Sequence, residues 1–264
     1  MTTSSTGSSG VSTLGHDSRF FDVPIAVVDV ETTGLDPRTD RIIEIAVIHM
    51  VGGRVVERYG TLVNPEQAVP DEVVKLTGID PASLTTAPRF SEVAAEVASR
   101  LAGRVMVAYN LAFDRAFVTV ELERCGVALP STHFVDPLIF VRELHKTEGS
   151  KRLSAVAERL GIPLASAHRA TDDAECTGLV LYALLSRLPD RLGDLILLQQ
   201  QWEVQQKNEM ANWRGDRGSS FDTPPGQALD RGHALGPAYI YGEDTDPVRA
   251  MFVHLPDAGA GRRT

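Results

Sequence analysis

Cysteine and surplus positive charge are both scarce in this sequence, and each shortage removes a class of protein. Two cysteines, Cys125 and Cys176, among 264 residues cannot build a disulfide framework. Their spacing fits no metal-binding pattern either, so a reduced, cytoplasmic setting is expected. No run approaches the ~20 apolar residues that span a bilayer, so no membrane segment is expected. The opening MTTSSTGSSG has neither a basic start nor an apolar core and does not read as a secretory signal. Lys and Arg number 26 against 35 Asp and Glu, a formal net charge of −9. That balance argues against a tight, passive nucleic-acid binder, which neutralises phosphates with Lys and Arg. It is compatible with an enzyme that meets phosphates through metal ions, because the carboxylates that hold such ions make the chain acidic.

What is present is a chain with 43% hydrophobic residues, enough to bury a core. Residues 1–19, rich in Ser, Thr and Gly, read as a disordered leader. Ile25-Ala-Val-Val-Asp-Val30 is a short, β-branched run that predicts a central strand. Two further strands, Arg41 to Val51 and Arg54 to Val63, are joined by Gly52-Gly53, a hairpin signal. Helical patterns come next: Pro70 to Leu76 with a stop at Gly78, then a helix capped by Ser91 and running to Leu101. Arg104 to Tyr109 reads as a strand, with a helix from Leu111 or Ala112 to Cys125 after it. His133 to Asp136 is a brief strand, and Pro137 opens the next helix at its first turn. Ser154 to Leu160 and Arg169 to Leu188 complete the pattern. An antiparallel meander followed by alternating helices and strands predicts an α/β domain with a mixed sheet over residues 20–188.

Three clusters could carry chemistry. In the first, Asp29 and Glu31 flank Val30 at the end of the first strand. Alternation puts both acids on one face, where they repel unless they share a cation, and oxygen ligands suit Mg²⁺ or Mn²⁺. The alternative is a solvated strand end. In the second, Asn110 occupies a natural N-cap position and Asp114 lies one turn into the following helix, where an acid also complements the helix dipole. In the third, His168 and Asp173 are five positions apart at the start of the long helix. They converge only if the histidine lies in the preceding loop or the first turn; otherwise it is a polar cap. Asp172 points about 100° away from Asp173 around the helix and reads as solvent-facing or capping.

Taken in order, Asp29-Val-Glu-Thr-Thr-Gly-Leu35, Tyr109-Asn-Leu-Ala-Phe-Asp114 and His168-Arg-Ala-Thr-Asp-Asp173 are far more specific than any one of them. Together they resemble the DEDDh, or DnaQ-like, 3′–5′ exonuclease family, which includes the proofreading epsilon subunit of bacterial DNA polymerase III. The resemblance spans roughly residues 22 to 188, and all five positions that name the family are present: Asp29, Glu31, Asp114, His168 and Asp173. It implies a ribonuclease H-like fold, a five-stranded mixed sheet flanked by helices. It also implies metal-dependent hydrolysis from a free 3′ end, releasing nucleoside monophosphates, with two Mg²⁺ or Mn²⁺ ions in the site. By position, Asp29 would bridge both ions, Glu31 and Asp173 would complete the first site, and Asp114 would support the metals directly or through water. His168 would be the general base, since a free imidazole pKa of about 6.5 suits proton acceptance near neutrality. Thr32, Thr33, Gly34, Leu35 and Asn110 would meet the terminal nucleotide. DNA is the expected substrate, in proofreading or repair. An RNA 3′-trimming enzyme and a non-catalytic replisome scaffold or nucleic-acid-binding protein are the alternatives.

Residues 189–264 lie outside the resemblance. Asp190 to Asn212 reads as a helix with Leu195, Leu198, Trp202 and Val204 on its apolar side, and the remainder is rich in Gly, Pro, Asp and Arg. This extension would either pack on the catalytic domain or carry a partner, such as a DNA polymerase, a sliding clamp or a second copy of the chain.

Overall fold

The computed structural model describes residues 14–164 and 169–215. Its centre is a five-stranded sheet of β1 (Ile25–Thr32), β2 (Ile42–Val51), β3 (Arg54–Leu62), β4 (Val105–Val107) and β5 (Phe134–Val135), in the order β3-β2-β1-β4-β5. The first three strands form the antiparallel meander, and β4 and β5 add in parallel beside β1. This is the mixed sheet flanked by helices that the sequence predicts. Gly52 and Gly53 both hold positive φ, 59° and 74°, which a two-residue turn needs to match the twist of its strands.

Side-chain alternation on β1 divides the core. Ile25 and Val27 join Ala46, Ile48 and Met50 on one face, covered by α7 (Ala170–Leu184) with α5 (Pro137–Leu144) and α6 (Leu153–Leu160). Ala26, Val28 and Val30 join Ile45 and Val47 on the other, covered by α3 (Phe90–Leu101) and α4 (Leu111–Arg124). Short helices α1 (Asp71–Thr77) and α2 (Pro81–Thr85) close one end over Ile43. α7 lies very close to the sheet: a Cβ added at Gly178 would sit 2.3 Å from Met50 Sδ and 3.1 Å from Val27 Cγ2. Only glycine permits that approach.

Several expectations need correction. The α3 helix begins at Phe90, so Ser91 is inside it. Its start is secured by the Glu92 carboxylate, which accepts from Arg89 N at 2.7 Å, and by burial of the Phe90 ring. Helix α2 is absent from the predicted elements, although Asp80 caps it through Ala82 N at 2.9 Å. The leader reading reaches too far toward the domain. Leu14 packs on the core, and the carbonyls of His16 and Ser18 accept from Gly193 N and Leu192 N, both at 2.9 Å. Residues 1–13 lie outside the described residues.

Helix α8 (Leu192–Gly215) packs on the same core through Leu192, Leu195 and Trp202. Its buried stripe also includes Gln199, Gln206 and Met210, whereas Val204, expected on the apolar side, is 58% exposed. The two glutamines replace apolar residues because they meet backbone groups of β5 and α5: Gln199 reaches Phe134 and Asp136, and Gln206 donates to Ile139 O. No helix among the described residues is long and apolar enough to cross a membrane.

Candidate active site

The acids gather where β1 ends, and they arrive from three elements. Asp29 and Glu31 project from the α7 face of β1, and the ladder is irregular between Glu31 and Thr32, where the strand re-aims toward the following loop. Asp173 reaches them from the first turn of α7. One carboxylate oxygen from each of Asp29, Glu31 and Asp173 lies within 4.8 Å of the other two. Asp114 comes from the first turn of α4 and is 4% exposed; its Oδ1 accepts from Val30 N at 3.1 Å, which ties α4 to the strand between the two acids.

The electrostatics of this arrangement are unfavourable without a counter-charge. Burial raises the Asp29 carboxyl well above its ordinary range, and Asp114, Glu31 and Asp173 raise it further. Asp114 is raised in the same direction, again by burial first. Glu31 is raised to about 8 by burial and then by Asp173 and Glu44, with Arg169 opposing. A cluster of partly buried acids, with Asp29 and Glu31 raised by burial and mutual repulsion and all donors hard oxygens at ligand spacing, fits a divalent cation of the Mg²⁺ or Mn²⁺ type.

Asn110 stands at the α4 N-cap position but does not cap with its side chain. Its backbone is left-handed, φ 69° and ψ 52°, and its amide N–H and that of Leu111 donate to the Asp136 carboxylate, both at 3.1 Å. Asp136 also accepts from Leu138 N at 2.9 Å, so one buried acid caps both α4 and α5. Burial lifts it to about 6, against the lowering by those amide donors. The loop after β1 is similarly self-bonded. Thr32 Oγ1 donates to Gly34 O at 2.6 Å, while Thr33 Oγ1 accepts from Arg41 N at 3.0 Å and Gln67 Nε2 at 2.7 Å. Thr33, 2% exposed, is therefore a loop clamp, and Gly34 and Leu35 beside it are partly exposed. His168 lies outside the described residues. Asp172 and Asp173 are both half-buried, and only Asp173 belongs to the three-acid cluster.

The pattern of the exonuclease family RNase_T matches residues 26–181, which contain all of these acids. The chain belongs to the exonuclease family. Among the curated relatives of this exonuclease domain, the 3′-5′ exonuclease DinG of Bacillus subtilis is 36% identical over 163 residues, 61% of this chain and 18% of that protein. The DNA polymerase III PolC-type of Bacillus cereus is 34% identical over 159 residues, 60% of this chain and 11% of that protein. The chain thus spans less than a fifth of the length of these relatives. Among solved structures, E. coli exonuclease I in complex with a dA16 oligonucleotide superposes with a TM-score of 0.58 at 21% identity, covering 63% of this chain and 41% of that one. Exonuclease X in complex with 5′ overhanging duplex DNA gives 0.55 at 19%, covering 66% of this chain and 99% of that one. These likenesses establish the ribonuclease H-like fold.

Sequence reasoning missed two residues beside the acids of the exonuclease domain. Glu44, 4% exposed, is the cross-strand partner of Glu31 and forms an ion pair with Arg169, Oε1 to Nη2 3.0 Å. The signal was available: Glu44 is the one charged residue within Ile42-Ile-Glu-Ile-Ala-Val-Ile48, and a buried acid in such a run requires a partner.

Proposed function

We propose that this chain is a metal-dependent 3′–5′ exonuclease that hydrolyses the terminal phosphodiester of DNA and releases nucleoside monophosphates. The observation that carries this reading is the convergence of Asp29, Glu31 and Asp173 into one ligand cluster inside a domain of the exonuclease family. DNA is favoured over RNA because the relatives are named as a 3′-5′ exonuclease and a DNA polymerase, and two neighbours in fold are complexes with DNA.

In this reading Asp29, Glu31 and Asp173 hold a divalent ion, and Asp29 with Asp114 supports a second. When bound, a pair of Mg²⁺ or Mn²⁺ ions supplies an activated water and stabilises charge on the leaving 3′ oxygen. The chain's own residues do the remaining work. Asp114, pinned to Val30 N, holds α4 against the strand so that the acids keep their spacing. Gly34, Leu35 and Asn110 border the space for the terminal nucleotide. His168, by the family resemblance, takes the proton from the attacking water. A polymerase or clamp contact, if the chain makes one, falls to residues 216–264 and to the exposed face of α8, because Leu192, Leu195 and Trp202 are engaged in the core.

The deciding experiment is product analysis on matched 3′- and 5′-labelled DNA and RNA oligonucleotides with Mg²⁺, Mn²⁺ or EDTA. The expected result is stepwise loss of mononucleotides from DNA 3′ ends with either metal and none with EDTA. Activity that persists in EDTA, or release from 5′ ends, would overturn the reading.

A further inference from the structure

Glu44 has no place among the metal ligands, yet it stands directly across the ladder from Glu31 with both side chains on the same face. Like charges paired in this way destabilise a sheet, so the position calls for a reason. The contacts of Glu44 supply one. Its Oε1 accepts from Arg169 Nη2 at 3.0 Å, and its Oε2 accepts from Arg169 Nε at 3.4 Å and from Ala170 N at 3.3 Å. One carboxylate therefore grips both the side chain of the residue before α7 and the first amide of that helix. The grip continues along the backbone, because the Arg169 carbonyl accepts from Asp173 N at 3.0 Å. From above, Thr171 rests on β3 so closely that a Cβ at Gly60 would lie 2.5 Å from its Oγ1.

We infer that Glu44 is a positioning residue: through Arg169 and Ala170 it fixes the first turn of α7 on the sheet and so holds Asp173 at ligand distance from Asp29 and Glu31. The pair thus sets the geometry of the ligand set. This inference rests on the metal-dependent reading of the site.

The test compares wild type with Glu44→Ala, Glu44→Gln and Arg169→Ala in the full chain. Three quantities are measured: Mn²⁺ affinity by calorimetry, steady-state kinetics on a 3′-labelled DNA oligonucleotide, and Tm in EDTA. Removing a group that orients a metal ligand typically costs about 10–100-fold in metal affinity or activity, and Glu44→Ala is expected to fall in that range. Glu44→Gln, which keeps an oxygen acceptor for Ala170 N, should recover part of the loss. Arg169→Ala should weaken Mn²⁺ binding in the same direction, and because its side chain is 53% exposed it should remain folded even if Glu44→Ala does not. If the folded variants bind Mn²⁺ as wild type does, or only Tm changes, the positioning role is overturned. Wild-type protein that neither binds Mn²⁺ nor degrades DNA overturns the exonuclease reading itself.

Discussion

The side-chain amide of Gln199 completes the outer edge of β5: its Oε1 accepts from Asp136 N at 2.7 Å and its Nε2 donates to Phe134 O at 3.3 Å. An amide offering one acceptor and one donor to alternate backbone groups of an edge strand substitutes for a neighbouring strand. Helix α8, outside the matched exonuclease segment, thereby blocks an edge that would otherwise be open to pairing. The same contact orders Asp136, which caps α4 one turn before Asp114. Gln199→Leu should cost about 1–3 kcal/mol by leaving a buried N–H and C=O unpaired. That corresponds to a Tm lower by about 2–4 °C per kcal/mol. A chain cut after Asp190 loses Leu192, Leu195 and Trp202 from the core and should aggregate. An unchanged Tm in Gln199→Leu would show that water replaces the glutamine at no cost.

The buried acids trade stability for chemistry. Asp29 is repelled by Asp114, Glu31 and Asp173 on top of its burial, so Asp29→Asn should raise Tm in EDTA. The same change removes a proposed metal ligand, and losing several kcal/mol of transition-state stabilisation should lower the rate about 10³-fold or more. It should also abolish the rise in Tm that Mn²⁺ gives wild type. Asp172→Ala, one residue from the proposed ligand Asp173, should leave both readouts near wild type. If Asp29→Asn proves less stable in EDTA, repulsion is not the dominant effect at this site.

Periodicity and short-range signals made much of the fold legible in the sequence. Alternation placed Asp29 and Glu31 on one face, Gly52-Gly53 marked the hairpin, and Gly78 marked a helix end. Contacts between elements distant in the chain were hidden. Asn110 looks like a cap, but the cap is Asp136, 26 positions on, because the left-handed backbone at Asn110 turns its amide toward β5. Gln199 and Gln206 carry no signal in the helix pattern that they meet backbone groups on β5 and α5. Glu44 was legible as an anomaly in an apolar run, but its partner Arg169 lies 125 positions away.

A second long-range ion pair shapes the loop beside the site. Glu121, 1% exposed on α4, receives Arg41 in a two-pronged contact, Nε to Oε1 2.7 Å and Nη2 to Oε2 3.2 Å. Arg41 N also donates to Thr33 Oγ1, so the pair fixes the far end of the loop that includes Gly34 and Leu35. Glu121→Ala leaves the Arg41 guanidinium only Pro65 O and the more distant Glu66 as partners, and should cost about 1–3 kcal/mol. Below the melting range, KM for DNA should rise more than kcat falls, because the acids are untouched while the loop loosens. A selective fall in kcat would place the effect at the acids instead.

Stability should depend on pH in a direction set by Glu31. Its carboxyl is raised from the ordinary 4.5 to about 8, by burial first and by Asp173 and Glu44 next. A pKa higher in the folded state means that the folded protein holds the proton more tightly. The stability Glu31 contributes is therefore complete below about pH 4.5 and is lost as pH climbs through about 8. A bound cation reverses the trend, because it binds only the ionised form and must displace that proton. The difference in Tm between Mn²⁺ and EDTA should accordingly widen from about pH 5 to about pH 8 and then level off. Glu31→Gln should flatten the EDTA curve and shrink the Mn²⁺ effect at every pH. A wild-type difference that stays constant across this window would mean that Glu31 is already ionised before the metal arrives.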